Sequence, residues 1–220
     1  GRNVGEYFDT FRRTPMNDWH IENKAEFENV GQWKRAWYYP KNNETMHEAV
    51  QRESKAARNS AGILDASTLG KIDIQGTDAS EFLNRVYTNA WSKLAIGKCR
   101  YGLMLNEDGM VYDDGVTTRL DENHYIMTTT TGGAANVLGK LEDYLQTEWP
   151  ELDVYLSSVT DHYATASICG PNSKKILNKL IPNLDLSDES FPHMSFKNAK
   201  IDNIKCRIMR ISFTGEHSYE

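Results

Sequence analysis

The chain is 220 residues long, 39% hydrophobic and 25% charged, with a formal net charge of −6. That length holds one large domain or two small ones around a sizeable core, and an acidic balance with no Lys/Arg block points to no nucleic-acid surface. No run of about 18 apolar residues suggests a membrane-spanning helix, so neither nucleic acid nor a membrane is an expected partner.

The N-terminal stretch "GRNVGEYFDTFRRTP" lacks the apolar core of a secretory signal. Cys99, Cys169 and Cys206 have no CxxC spacing and read as reduced, packed thiols, which places the protein in the cytoplasm. The six histidines form no HxxxH pair, so no metal is expected.

In chain order, residues 1–43 read as an irregular, extended segment rich in Trp and Tyr ("MNDWH", "GQWKRAWYYP"). It lies either on the chain's own core or against another domain or partner subunit. Met46 to Ser60 is a polar helix with one Ala/Val stripe. "GILDASTLGKIDIQG" reads as two short strands around a Ser/Thr/Gly turn, with Ile72 and Ile74 alternating with Asp73 and Gln75. "TDASEFLNRVYTNA" opens with a capping-box pair, Asp78 and Glu81, and puts Ala79, Phe82, Leu83, Val86 and Tyr87 on one helical face.

Strands follow at Arg100–Asn106, Gly109–Leu120 and His124–Thr130. Next comes a helix with Val137, Leu138, Leu141, Tyr144 and Leu145 on one face, N-capped by Thr131. Strands at Val154–Thr160 and Tyr163–Cys169 lead to a helix starting in "GPNSKKIL", and one or two strands close the chain. Hairpins punctuated by single helices predict an α+β fold with mainly antiparallel sheets. "GTDASEFL" and "GPNSKKIL", each after a strand, form an internal echo. Glu220 falls where a strand should continue, so the chain is expected to be a fragment.

The unusual stretch is "NEDGMVYDDGV". Asp108-Gly109 is a hairpin turn, and two adjacent acids follow in a strand, where Asp is normally rare. Alternation puts Met110, Tyr112, Asp114, Val116 and Thr118 on one face and Val111, Asp113, Gly115, Thr117 and Arg119 on the other. The first set is the more apolar, which predicts Asp114 inward and Asp113 outward; a bulge would exchange the faces. An inward carboxylate needs a partner. Spacing leaves open whether Asp114 is a base or a hydrogen-bonded structural acid.

Several of these segments together resemble one family. "LDASTLGKI", "GKCRYGLMLNEDGMVYDDGVTTRL", "IMTTTTGGAA", "GPNS" and "FTGEHSYE" are similar to the folate-binding aminomethyltransferase fold. That family includes the glycine-cleavage T-protein and the folate domains of sarcosine and dimethylglycine oxidases. "RRTPMNDWH" and "WKRAWYYP" resemble the folate-binding region of α subunits of heterotetrameric sarcosine oxidases.

The resemblance implies a folate-binding domain over residues 44–220, incomplete at its C-terminus, with weak or absent folate binding by itself. The implied activity is oxidative demethylation of sarcosine to glycine, with the one-carbon unit of the imine passing to tetrahydrofolate as 5,10-methylenetetrahydrofolate. The acid closing the family's GG-x-x-(D)D segment maps to Asp114, implying the catalytic base; Asp113 is the lesser candidate on the folate side. The final Glu of the family's (Y/F)TGExGYE segment maps to Glu220, implying a pterin acceptor. Phe213 stands in that segment's aromatic position, and Tyr101 and Thr128 map to the folate cleft. Flavin (FAD or FMN), NAD and the β, γ and δ subunits are implied for the full complex, outside this segment, which has no G-x-G-x-x-G. Two alternatives stand beside it: a glycine-cleavage aminomethyltransferase, against which the Trp-rich N-terminal segment and "TTTTGG" argue, and a non-catalytic scaffold for partner subunits, which the aromatic N-terminal segment would suit.

Overall fold

The computed structural model describes residues 9–220. Its first elements are β1 (Arg12–Arg13), α1 (Asn17–Glu22), β2 (Glu26–Val30) and β3 (Trp33–Tyr38). They make a three-stranded sheet in the order β1-β3-β2. The irregular, extended reading of 1–43 is therefore corrected for residues 9–43; residues 1–8 lie outside the described ones. Trp33 is buried with the Arg12 guanidinium 4.0 Å from its ring centroid. His20 plugs the segment into the body: Nε2 lies 2.8 Å from Asp65 Oδ2, and Nδ1 2.6 Å from Tyr39 Oη. Trp19, Phe27 and Tyr39 ring the imidazole. Trp33 and Trp37 stand apart from this cluster, Trp33 under Arg12 and Trp37 against Tyr38.

Helix α2 (Met46–Asn59) begins at a capping box between Thr45 and Glu48. The box expected at Asp78 and Glu81 does not form; Asp78 Oδ2 instead accepts from Asp153 N at 2.9 Å. The strands expected around the Ser/Thr/Gly turn are β4 (Gly62–Asp65) and β5 (Gly70–Gln75), and they enter different sheets.

After α3 (Ala79–Val86) come β6 (Cys99–Leu105), β7 (Val111–Asp121), β8 (His124–Thr129), α4 (Ala134–Asp143) and β9 (Tyr155–Ser158). The five strands pair in the order β6-β7-β8-β5-β9, all antiparallel. One face of this sheet carries Ile72, Ile74, Met104, Tyr125 and Met127, packed on Phe82 and Leu83 of α3 and Val137 and Leu141 of α4. Each fully buried side chain of this size contributes about 1.5–3 kcal/mol. Both helical faces read from the sequence are the ones buried.

The rest of the chain is β10 (Ala166–Cys169), α5 (Ser173–Leu180), β11 (Phe196–Ile201), β12 (Ile204–Met209) and β13 (Ser218–Tyr219). Strands β13, β10 and β4 form a second antiparallel sheet, and β11 pairs with β12. A second core joins Leu177, Ile181 and Leu186 to Phe191, Ile208 and Tyr219. The internal echo is structural. Gly76 after β5 and Gly170 after β10 both take positive φ, 136° and 105°, and an eight-residue helix follows each. A Cβ would lie 2.0 Å from Asp153 O at the first and 2.4 Å from Ala57 O at the second, so only glycine fits.

Candidate functional site

The hairpin β6–β7 sets the geometry of the two acids. A register shift between Met104 and Leu105 sets Met104 against Asp113 and Leu105 against Val111, leaving Tyr112 as a bulge residue. Asp113 consequently shares the helix-packed face with Met104, and it is buried, at 4% exposure. The predicted orientation is thus corrected: Asp113 points into the core and Asp114 to the opposite, partly open face. The apolar count of the alternating sets misled because the bulge puts Tyr112 on the side of Asp113, where it packs against the main core.

Asp113 is held at the turn before α4. Its Oδ1 accepts from Thr130 Oγ1 at 2.5 Å and its Oδ2 from Thr130 N at 3.1 Å. Thr130 Oγ1 in turn accepts from Gly133 N at 3.1 Å. Thr130, not Thr131, therefore satisfies the helix entrance. Burial raises the Asp113 carboxyl above its ordinary range, against the Thr130 bonds, which lower it.

Asp114 sits on the other face with Tyr101, whose hydroxyl donates to Oδ2 at 2.8 Å. Tyr101 is 50% exposed, and the bond to Asp114 raises its phenol above the usual value. Pairing carries this face across the sheet in one row. Tyr101 opposes Val116, Val116 exchanges bonds with Thr128 Oγ1, and Thr128 opposes Lys71. The Thr128 hydroxyl, expected to reach a ligand, donates to Val116 O at 3.2 Å and accepts from Val116 N at 2.9 Å. Its donor is thus taken by the backbone of β7.

Lys71 closes the row. It is 4% exposed, and its Nζ donates to Leu69 O at 2.9 Å and Ser67 O at 3.2 Å. Burial lowers its ammonium to about 8, against the pull of Asp65, Glu220 and Asp161. Glu220 follows β13 and exchanges backbone bonds with Met209. Met209 Sδ meets Thr118 Oγ1 at 3.7 Å, so Glu220 stands over this same face, where its charge acts on Lys71 and the Cys99 thiol. Burial raises the Glu220 carboxyl, opposed by the Ser167 hydroxyl and Lys71. Where Thr118 of β7 meets Cys99 and Met209 the face is sealed; at Asp114 and Tyr101 it is open. Phe213 projects from the loop between β12 and β13, 86% exposed.

Of the residues singled out in the sequence, Asp114, Tyr101, Thr128 and Glu220 share one side of the sheet, Asp113 lies on the other, and Phe213 stands off it. Lys71 and the pair His20–Asp65 were not foreseen. Lys71 alternates with Ile72 and Ile74 like an ordinary solvent-facing residue, and only the fold covers it.

The five-stranded antiparallel sheet packed on α3 and α4, with the smaller β13-β10-β4 sheet beside it, belongs to a known domain class. The family model described as "GCVT N-terminal domain" matches residues 16–220, and the chain belongs to that family. It is 56% identical over its whole length to "Sarcosine oxidase subunit alpha" of Corynebacterium sp. (strain P-1), and 47% identical to the protein of the same name from Rhizobium meliloti (strain 1021). The chain spans 23% and 22% of the lengths of those two relatives. Among solved structures it superposes on the glycine cleavage system aminomethyltransferase T from Bartonella henselae with a TM-score of 0.79. That match has 24% identity and covers 94% of this chain and 52% of the other, and it shows the aminomethyltransferase-like fold. No helix among the described residues is long and apolar enough to cross a membrane.

Proposed function

We propose that this chain is the folate-facing region of a sarcosine oxidase α subunit, and that its open sheet face serves one-carbon transfer to tetrahydrofolate. The observation that carries the reading is the Tyr101–Asp114 pair: a carboxylate, oriented by a donor, on the exposed end of a face otherwise sealed. A flavin outside this segment would supply the oxidation of sarcosine to the imine that reaches this face. The imine carbon is attacked by a folate amine, and 5,10-methylenetetrahydrofolate and glycine result. Asp114 takes or orients the amine proton and stabilises positive charge as the carbon–nitrogen bond forms. Tyr101 holds its carboxylate in one orientation.

Glu220 fits the acceptor role. Burial disfavours its charge, and two adjacent N–H donors of a pterin edge would restore it, so recognition and ionisation are coupled. Phe213, exposed on the neighbouring loop, supplies an aromatic surface for stacking. Asp113 acts behind the site by fixing β7 to the α4 entrance. Flavin and NAD would be held outside this segment, and the name "subunit alpha" of the relatives supports further subunits in the complex.

The test is to graft this 220-residue sequence into the matching region of the Corynebacterium α subunit. In the assembled enzyme, Asp114→Asn should leave sarcosine oxidation intact and cut methylenetetrahydrofolate formation by roughly 100-fold or more. Unchanged one-carbon capture would remove Asp114 from the mechanism. Loss of both activities alike would point to a structural role.

A further inference from the structure

His217 interrupts the motif that ends in Glu220, and the structure gives its ring a specific partner. Arg210 Nη2 lies 2.9 Å from His217 Nε2. A guanidinium only donates, so Nε2 must be the accepting nitrogen, and His217 in this contact is neutral with its proton on Nδ1. Arg210 is itself fixed: Nη1 donates to Phe191 O at 2.6 Å and pairs with Asp188 at 2.9 Å. The contact therefore ties the loop between β12 and β13 to the segment before β11. Beside it lies a cavity of about 390 Å³ lined by His193, Arg210, Ser212, Glu216 and His217, which leaves the ring room to turn.

The His217 backbone is held independently of its ring. Its carbonyl accepts from Gly170 N and from Ser173 Oγ, both at 2.9 Å. Residues 211–216, including Phe213, lie between that anchor and β12. Ile211 is buried at the β12 end; beyond it the segment is tied by Ser212 Oγ to Glu216 O at 2.6 Å, Glu216 N to Thr214 Oγ1 at 3.4 Å and the ion pair Arg58–Glu216.

We propose that His217 is a positioning residue for the Phe213 loop and a pH-sensitive latch: neutral, it accepts from Arg210 and holds the loop; protonated, it releases it. A protonated ring has no acceptor and would face the Arg210 cation at hydrogen-bond distance. The charged groups around it are Arg210 after β12, Lys174 of α5, His193 and Asp188 before β11, and the Arg58–Glu216 pair flanking the loop. Burial, with Arg210, Lys174 and His193, holds the imidazole below its ordinary 6.5, and Asp188 opposes them. The latch is thus closed at neutral pH and opens on mild acidification. Its consequence for ligand binding rests on the folate-site reading above; the latch itself does not.

The experiment needs no folate, so its failure is distinct from failure of that reading. Histidine ring NMR and backbone relaxation NMR are followed on this chain as pH is lowered from neutrality. Expected is a loss of backbone order at residues 212–216 that shares the His217 ring's own midpoint, below 6.5. His217→Gln, which keeps a neutral acceptor, should retain that order across the range. Arg210→Met should lose it at every pH. Wild-type order that ignores the His217 titration would overturn the proposal, as would the same step persisting in His217→Gln.

Discussion

Asp113 grips Thr130 with both carboxylate oxygens, one on the hydroxyl and one on the backbone N–H. Asp114, the next residue, points the other way and is gripped by Tyr101. One acid ties two elements together inside the protein, and its neighbour is presented on an open face.

Asp113→Asn is expected to destabilise the fold by about 1–3 kcal/mol, because an amide presents one donor to a site built of two donors. For a domain of this size that lowers Tm by roughly 2–4 °C per kcal/mol. Calorimetric unfolding checks it; a Tm equal to wild type would mean that the Thr130 bonds contribute nothing net.

Asp114→Asn should lower the Tyr101 pKa toward the ordinary tyrosine value, since the Asp114 bond is the largest cause of its elevation. Spectrophotometric phenol titration of the variant against wild type, with Tyr101→Phe to identify the transition, reads this directly. An unmoved Tyr101 would break the link between the two side chains.

Lys71 titrates at about 8 in the fold against 10.5 for a free lysine. Its folded value is depressed, so its contribution to stability is full above 10.5 and is lost as pH falls through about 8. Wild type should therefore gain about 2 kcal/mol relative to Lys71→Met between about pH 7 and about pH 9.5. Denaturant titrations at several pH values test it; parallel stability curves for the two proteins would contradict the burial of a charged ammonium.

His20→Leu should cost about 2–4 kcal/mol, because it strips the buried Asp65 of its ring partner. Burial pulls the Asp65 carboxyl up, but bonds from Ser67, Thr14 and His20 outweigh this and hold it below the usual range. The defect should also appear as lost amide protection in β1 and β3. Protection confined to its wild-type pattern would show that another contact holds the N-terminal sheet.

Much of the fold was legible. The apolar faces of α3 and α4, the β6–β7–β8 meander and the repeated strand–Gly–helix unit all follow from local rules: period, turn chemistry and the steric need for glycine. The candidate site was only partly so. Tyr101 and Asp114 are 13 residues apart, and hairpin pairing brings them together. The orientation of the two acids was not readable, because Tyr112 and Asp113 form a bulge and the alternation rule counts one residue too few.

By itself the sequence determined the element types from α2 to α5, the antiparallel character of the main sheet and the presence of two inequivalent acids after a Gly turn. Those are short-range consequences of backbone geometry and side-chain alternation. Only the tertiary structure decided which acid is buried, that Lys71 lies beneath Glu220's charge, and that His20 and Arg210 hold distant segments in place. Each of these depends on what covers a face, and a strand's neighbours across the fold leave no mark on its own residues.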